Sequence, residues 1–330
     1  MTLRVLTWHV HGSYLQYLSH VPVTWVLPIR PERDPGYVGR GATFDWPDHV
    51  VEVPADNVGD VDLVLTQSRR NWEVDRHDVL GARVQELPRV HLEHDPPPAW
   101  PNDARHPVQD PDALLVHVTP FNALMWDPGV TPTAVVEHGV AVPDLPWTGE
   151  RDRGITVVNN LWSRGRRLGP DVFEQVAAAV PLDLAGMHGE RHPCWLGDVR
   201  LRELHRLLPS YRFLLNPIRY TSLGLAVCEA LALGLPVLGL ATTEMATAVR
   251  NGHNGYVETD PARLLEHARR LLADRDEAAA LSVGARRVAR ERFGIERFVA
   301  DWTALLHGHA GTPAARSTSA GVSASSPGSA

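Results

Sequence analysis

Short apolar runs recur along the first half of the chain, separated by polar stretches and by stretches that contain Pro and Gly. Most of these runs are continuous rather than alternating, a pattern typical of parallel strands that are covered on both faces. Residues 13–20 predict a helix between the first two runs, so this half has the order of an α/β fold. The runs predict six strands, over residues 4–8, 23–28, 61–66, 89–94, 113–118 and 133–138.

A second α/β series follows residues 142–152, where two prolines, a glycine and four charges predict a linker. A last helix, over residues 295–307, follows Gly294 and is expected to pack back onto the first domain. The predicted strands of the second series cover 154–160, 182–186, 211–216 and 236–241. The predicted helices before the last cover 169–180, 199–208, a segment that ends at Gly234, and 261–274.

These patterns divide the chain into an N-terminal domain over residues 1–145 and a C-terminal domain over residues 146–294. The helix 295–307 follows, and residues 308–330, rich in Ala, Gly, Ser, Thr and Pro, predict a disordered tail. We expect two Rossmann-like, doubly wound sheets that face a cleft, with ligands beyond the carboxyl ends of the strands.

The composition indicates a soluble protein: 330 residues, 44% hydrophobic and 22% charged, with a formal net charge of −7. This charge disfavours a nucleic-acid partner. The N-terminus shows no signal-peptide pattern and two cysteines form no disulfide framework, so we expect a cytoplasmic protein. Residues 222–241 could imitate a membrane span, but they contain a charge, three glycines and Pro236, which favours a buried helix, a turn and a strand.

Glu229 is the single charge in the otherwise apolar or small stretch from Ser222 to Ala241. An unpaired carboxylate in such surroundings costs several kcal/mol, so it needs a partner. The partner could be a nearby arginine or solvent, or the vicinal hydroxyls of a ribose, which suit the acceptor-only oxygens of a carboxylate.

The surroundings of Glu229 resemble a motif of the retaining glycosyltransferases of family 4, which have the GT-B fold. Residues 91–98, 135–143 and 249–260 resemble further family segments in the same order. The matching positions of the main motif are Pro217, Gly224, Glu229, Ala230, Ala232, Gly234, Pro236 and Val237.

The resemblance implies an enzyme that moves a sugar from a nucleotide diphosphate sugar to an acceptor hydroxyl with retention, by front-face displacement. It implies that Glu229 binds the ribose of the donor and that Ser222, Leu223 and Gly224 hold the diphosphate at a helix N-terminus. We expect no cofactor and no metal, because arginines can neutralise the diphosphate. The nucleotide base, the donor sugar, the acceptor and the oligomeric state stay open.

The chain also departs from the family pattern. Thr221 replaces the first glutamate of the motif, which puts the usual contact with the donor sugar in doubt. Thr221 could serve as a helix N-cap, and this role is compatible with a site role. Thr243 and Glu244 replace a glycine pair, and Glu244 could contact the sugar hydroxyl that Thr221 no longer reaches. Arg166 and Arg167 follow the first strand of the second domain and are alternative diphosphate ligands.

In the first domain, Gly12 lies in the turn after the first strand, where relatives have a glycine-rich turn. His94 follows another strand in a His-acid-Pro order that relatives share, and it is expected to contact the donor sugar or the reacting hydroxyls. His117 and His138 also close strands. A metal cluster of His91, Glu93, His94 and His106 is disfavoured, because strand alternation sends His94 to the other face.

Two further function classes remain open. The same fold could support a nucleotide-sugar epimerase or a sugar phosphorylase. The loss of a glutamate at Thr221 is also compatible with a non-catalytic protein that binds nucleotide sugars. No serine-nucleophile elbow, dinucleotide fingerprint or P-loop occurs in the sequence.

Overall fold

The computed structural model describes residues 2–98 and 103–311, which form two parallel sheets with helices on their faces. The first sheet has seven strands in the order β3-β2-β1-β4-β5-β6-β7. Its strands are β1 Arg4–Leu6, β2 Thr24–Ile29, β3 Val50–Pro54, β4 Leu63–Thr66, β5 Arg89–Glu93, β6 Ala113–His117 and β7 Thr133–Val135. The α-helices of this part are α1 Gly12–Leu18, α2 Arg76–Leu80 and α3 Pro120–Met125.

The second sheet has five strands in the order β12-β11-β10-β8-β9. These strands are β8 Arg151–Val157, β9 Leu182–Ala185, β10 Tyr211–Asn216, β11 Val237–Leu240 and β12 Gly255–Glu258. The helices are α4 Pro170–Ala177, α5 Leu201–Leu207, α6 Leu225–Ala232, α7 Met245–Ala248, α8 Pro261–Ala273, α9 Arg275–Arg292 and α10 Ile295–Ala310.

Burial on both faces explains the continuous apolar runs. Every residue of β4, β9 and β11 is buried, and all strand pairs within the two sheets are parallel. All six strands predicted in the first half are present, together with the additional edge strand β3. The predicted α/β class with two doubly wound sheets is therefore confirmed.

Each sheet has one point where the strand order reverses, and ligands of doubly wound folds bind beside such points. In the first sheet this point lies between β1 and β4, and in the second it lies between β8 and β10. The turn after β1 contains Gly12, and the loop after β10 contains residues 217–224. Both predicted ligand-binding loops therefore start at a reversal point.

The last helix, α10, packs against the first domain. Trp302 on α10 is fully buried and donates from its indole Nε1 to the hydroxyl of Tyr14 on α1, at 3.2 Å. Helix α10 ends at Ala310, three residues beyond the predicted end. Residues 312–330, most of the predicted tail, lie outside the described residues. Within residues 2–98 and 103–311, no helix has the length and apolarity needed to cross a bilayer.

Candidate active site

A cavity of about 450 Å³ lies between the two domains. One wall comes from the first domain, through Ser13 on α1 and through Phe44. The opposite wall comes from the carboxyl ends of β8 and β9 and from α6. The α6 residues are Leu225, Ala226 and Glu229, whose spacing of three and four places them on one helix face. The cavity therefore reaches the lone carboxylate of the apolar stretch.

Glu229 is buried, with 3% of its surface exposed, and one partner comes from the other domain. The hydroxyl of Tyr17 on α1 donates to Glu229 Oε1 at 2.7 Å. The second oxygen, Oε2, lies 3.6 Å from Nε2 of His205 on α5. Burial, together with the charge of Glu229, raises the pKa of Tyr17, so this hydroxyl stays protonated and able to donate. No arginine contact with Glu229 occurs among the described residues, which disfavours the arginine alternative.

The candidate diphosphate site lies at the N-terminal end of α6. Ser222 and Leu223 are buried, and Gly224 is the N-cap residue. The first backbone N–H groups of a helix have no intrahelical acceptor, and together with the helix dipole they favour an anion. A Cβ atom added at Gly224 would meet nothing within 4 Å, so there is open space beside the residue that caps this helix.

Thr221 lies three residues before the N-cap Gly224, so the interpretation of Thr221 as the N-cap of this helix is wrong. It is half-buried, and the carbonyl of the next residue, Ser222, accepts from the Thr243 hydroxyl at 3.5 Å. Thr243 has a φ of +51°, in the left-handed region where glycine has no steric penalty. This backbone conformation gives a physical reason for the glycine that relatives carry at that position.

Glu244 is 2% exposed, and both of its carboxylate oxygens have protein partners. Oε2 accepts from the backbone N–H of Phe121, in the first domain, at 2.9 Å. Oε1 accepts from the Thr247 hydroxyl and from the Arg292 guanidinium. These contacts favour a role in joining the domains over the sugar contact that the sequence suggested.

The two candidate arginines lie in different surroundings. Arg166 is largely exposed and pairs with Asp171 of its own domain at 2.8 Å. Arg167 is mostly buried and lies 3.5 Å from Asp95, across the cleft and next to His94. Its Nε donates to the Tyr220 carbonyl in the loop that leads to α6. This geometry favours Arg167 as the diphosphate ligand.

His94 lies at the carboxyl end of β5 and packs against two rings of the β1–α1 region. Its ring centroid is 4.0 Å from that of His11 and 4.7 Å from that of Tyr14. The Gln67 amide N–H₂ donates to Thr7 and Trp8, so the Gln67 oxygen is left to accept from His94 Nε2, at 3.3 Å. Burial, with the neighbouring His11 and His138, lowers the pKa of His94 well below its ordinary value. His94 is therefore neutral near pH 7, with Nδ1 as its acceptor.

His117 and His138 close neighbouring strand regions and are both buried. The His117 ring has no hydrogen-bond partner within the described part of the chain, and the His138 ring lies near the backbone of Leu223 in the second domain. Burial lowers the pKa of each imidazole to about 4. Both rings are therefore neutral near pH 7. The His138 ring also packs against Tyr14, which contacts His94 as well, with 5.8 Å between the His138 and Tyr14 centroids.

Gly12 starts α1, and packing explains why this residue is glycine. An added Cβ would lie 2.8 Å from Phe44 and 3.0 Å from His9. Gly12 therefore lets the turn after β1 approach the loop that lines the cavity.

A group of potential metal ligands lies next to His117, whose ring centroid is 6.4 Å from that of His106. Ligand atoms of His91, Glu93 and His106 all lie within 4.8 Å of one another. However, the Val108 N–H donates to His106 Nδ1, so Nε2 carries the proton and donates to Glu93 at 3.0 Å. A metal at Nε2 would move that proton to Nδ1 and set it against the Val108 N–H. The observed hydrogen bonds thus favour a proton-linked pair over a metal site.

Glu229 lies in the cavity wall, and Gly12 packs against Phe44 of the opposite wall. Residues 221–224 directly precede α6, and Arg167 pairs with Asp95, the neighbour of His94, between the two domains. Sequence reasoning missed Tyr17 and Gln67. Tyr17 is one helical turn after Ser13, but its partner is 212 residues away. No local pattern connects residues so far apart.

Residues 174–274 match the family model described as "Glycosyl transferases group 1". No curated protein sequence matches the chain at a significant level.

Several solved structures are similar over nearly the whole chain. Sucrose-phosphate synthase from Thermosynechococcus elongatus has 15% identity and a TM-score of 0.67, over 93% of this chain and 98% of that chain. HepE of Anabaena, in complex with UDP, has 14% identity and a TM-score of 0.67, over 93% and 100%. A glycosyltransferase from Rickettsia africae has 11% identity and a TM-score of 0.63, over 93% and 98%. The chain therefore has the GT-B fold, and residues 174–274 of its second domain match the glycosyl transferases group 1 family.

Proposed function

We propose that the protein is a retaining, family-4-like glycosyltransferase that moves a sugar from a nucleoside diphosphate sugar to an acceptor hydroxyl. One observation carries the proposal: an interdomain cavity has Leu225, Ala226 and Glu229 of α6 in its wall, and the N-cap residue Gly224 borders open space. A carboxylate for a ribose diol and a helix N-terminus for a diphosphate are thus arranged along one helix.

In this proposal the protein positions the reactants and stabilises the departing anion. The leaving diphosphate gains negative charge as the glycosidic bond breaks, and Arg167 with the N–H groups at the start of α6 would stabilise that charge. The diphosphate oxygen on the same face takes the proton of the acceptor hydroxyl, so the new bond forms where the old one breaks. Neutral His94 would accept or donate one hydrogen bond to the donor sugar or to the reacting hydroxyls. No metal is required in this scheme, because arginine supplies the positive charge.

The test has two steps. A thermal-shift screen with nucleoside diphosphates and their sugars identifies the donor, because a ligand that binds the native state raises its stability. HepE was solved with UDP and with UDP-glucose, which makes these the first compounds to test. The anomeric configuration of the product is then read by NMR, and inversion of configuration would contradict retention.

The remaining alternatives give different results in the same assay. A transferase releases free nucleoside diphosphate only when an acceptor is present. An epimerase changes the donor sugar and releases no nucleoside diphosphate. A phosphorylase needs inorganic phosphate. Nucleotide binding without turnover of any donor across a broad panel of acceptors would indicate the non-catalytic alternative.

A further inference from the structure

Tyr17 contacts the carboxylate that the proposed function assigns to the ribose, so the role inferred for Tyr17 rests on that function. Tyr17 lies on α1 of the first domain and is 2% exposed, yet its hydroxyl donates to a carboxylate of the second domain. The 2.7 Å distance is that of a good hydrogen bond from a hydroxyl to an ionised acceptor. Such bonds are about twice as strong as those between neutral groups and fix the acceptor in one orientation.

Among the residues that the structure describes, no comparably close donor meets the remaining lone pairs of Glu229. Oε2 lies 3.6 Å from His205 Nε2, which is too long for a good hydrogen bond. His205 Nε2 itself has no hydrogen-bond partner within residues 2–98 and 103–311. Tyr17 thus holds Oε1, and a carboxylate that lines the cavity keeps acceptor capacity for a ligand.

We propose that Tyr17 is the positioning residue of the ribose site: its hydroxyl holds Glu229 in the orientation that receives the vicinal hydroxyls of the nucleoside. Recognition of the ribose therefore needs both domains, although the carboxylate belongs to the second. Ser13, four residues earlier on the same face of α1, lines the cavity, so α1 contributes to this wall directly as well.

A purely structural bond between the domains is the competing explanation. It predicts that loss of the hydroxyl weakens the binding of every nucleotide equally. A positioning role predicts a loss that depends on the ribose hydroxyls. The ratio of affinities for a ribonucleotide and its 2′-deoxy analogue separates the two explanations.

The experiment uses calorimetry on the full chain with UDP, GDP and ADP and with the 2′-deoxy analogue of whichever binds best. We expect the wild type to prefer the ribonucleotide by about tenfold or more, which corresponds to one good hydrogen bond to a charged group. In Tyr17→Phe this preference should fall to about twofold or less, mainly through weaker ribonucleotide binding. An unchanged preference in Tyr17→Phe would overturn the inference.

Tyr211→Phe is the matched control. The Tyr211 hydroxyl also donates to a buried carboxylate, Asp183, at the same 2.7 Å, but at the opposite end of the second sheet. This variant should lose comparable stability and keep the ribose preference. Tyr17→His retains a ring N–H donor and should restore part of the preference. Should Tyr17→Phe fail to fold, Tyr17→Leu, which also lacks a donor, takes its place, and an unchanged preference in that variant would overturn the inference.

Two outcomes with the wild type separate this inference from the proposed function. Binding of nucleoside diphosphates without any ribose preference would overturn the role of Tyr17 and leave a nucleotide donor in place. Failure to bind any nucleoside diphosphate would overturn both.

Discussion

At Gly224 neither the backbone nor the packing requires a glycine. Its φ of −66° suits any residue, and an added Cβ would meet nothing within 4 Å. Gly12 differs, because a Cβ there would lie 2.8 Å from Phe44. Packing therefore explains the glycine at position 12, whereas at position 224 the proposed diphosphate site supplies the reason that the protein itself does not.

We expect Gly224→Ala to weaken nucleoside diphosphate binding by about tenfold or more, because the methyl group would occupy open space beside the start of α6, where the proposal places the diphosphate. The free energy of unfolding should change by less than about 1 kcal/mol, since the lost N-cap preference and the gained chain rigidity offset each other. Calorimetry with the nucleotide and urea unfolding measure the two quantities. Gly12→Ala should show the reverse order of effects, and unchanged affinity in Gly224→Ala would contradict the diphosphate site.

The two arginines provide a matched pair. Arg167→Ala should lower kcat/KM by roughly 10²–10³, a range typical for the loss of one group that stabilises a developing anion. Arg166→Ala should lower it by less than about threefold, because that side chain pairs with Asp171 on the exposed surface. Initial rates of diphosphate release measure both. Equal losses in the two variants would remove the assignment to Arg167.

At the scale of elements, buried histidines at the ends of β6 and β7 make the first domain sensitive to acid. His117 and His138 have a pKa of about 4 in the folded protein, below the ordinary 6.5. The unfolded chain therefore binds more protons than the native state between pH 6.5 and 4, so stability falls as the pH falls through this window. Below about pH 4 the contribution is fully lost.

We expect each histidine to remove up to roughly 3 kcal/mol of unfolding free energy between pH 7 and pH 4. Urea unfolding at several pH values measures this loss. The variant with His117→Leu and His138→Leu keeps apolar volume and removes both titrations, so its stability should depend less on pH in this window. Parallel pH curves for the variant and the wild type would show that these histidines are not responsible.

The strands were predictable because burial on both faces leaves a continuous apolar run. Strand β3 was not predicted, since it is a half-exposed edge strand whose Glu52 pairs with Arg33 across a loop. Helix α9 was missed as well. Its buried positions are mostly small residues, such as Ala278, Gly284 and Ala289, so the hydrophobic period that marks a helix is weak.

The site was predictable only on the side where a local motif exists. The motif indicated Ser222, Gly224 and Glu229 as a unit, and the structure places Glu229 on α6 in the cavity wall and the other two directly before that helix. The hydroxyl that orients Glu229 was not predictable, because contacts between distant segments depend on how the two domains pack. The partners of Glu244 were missed for the same reason.

At the scale of the whole molecule, Glu244 lies where three segments meet. The first domain contributes the Phe121 N–H, and Arg292 at the end of α9 also pairs with Glu137 of the segment that leads to the linker. Because its oxygens already have these protein partners, Glu244 contributes to the contact between the two domains.

We therefore expect Glu244→Gln to lower the free energy of unfolding by roughly 1–3 kcal/mol, because a buried charged hydrogen bond is weakened. The KM for the donor should change by less than about twofold. Urea unfolding and steady-state kinetics measure the two effects, with Glu137→Gln as the control on the more exposed partner of Arg292. A raised KM with unchanged stability would restore the sugar contact for Glu244.

Helix α1 has only seven residues, yet three of them face different parts of the cleft. Ser13 lines the cavity, Tyr14 packs against His94 and Trp302, and Tyr17 reaches Glu229. One inserted residue turns a helix by about 100°, which would displace the three groups together. Such an insertion should be far less tolerated than one beside Gly59 in the loop between β3 and β4, where an added Cβ would meet nothing within 4 Å. Insertions in α1 are therefore expected to damage the cleft, although this helix lies outside residues 174–274, the segment that the family model recognises.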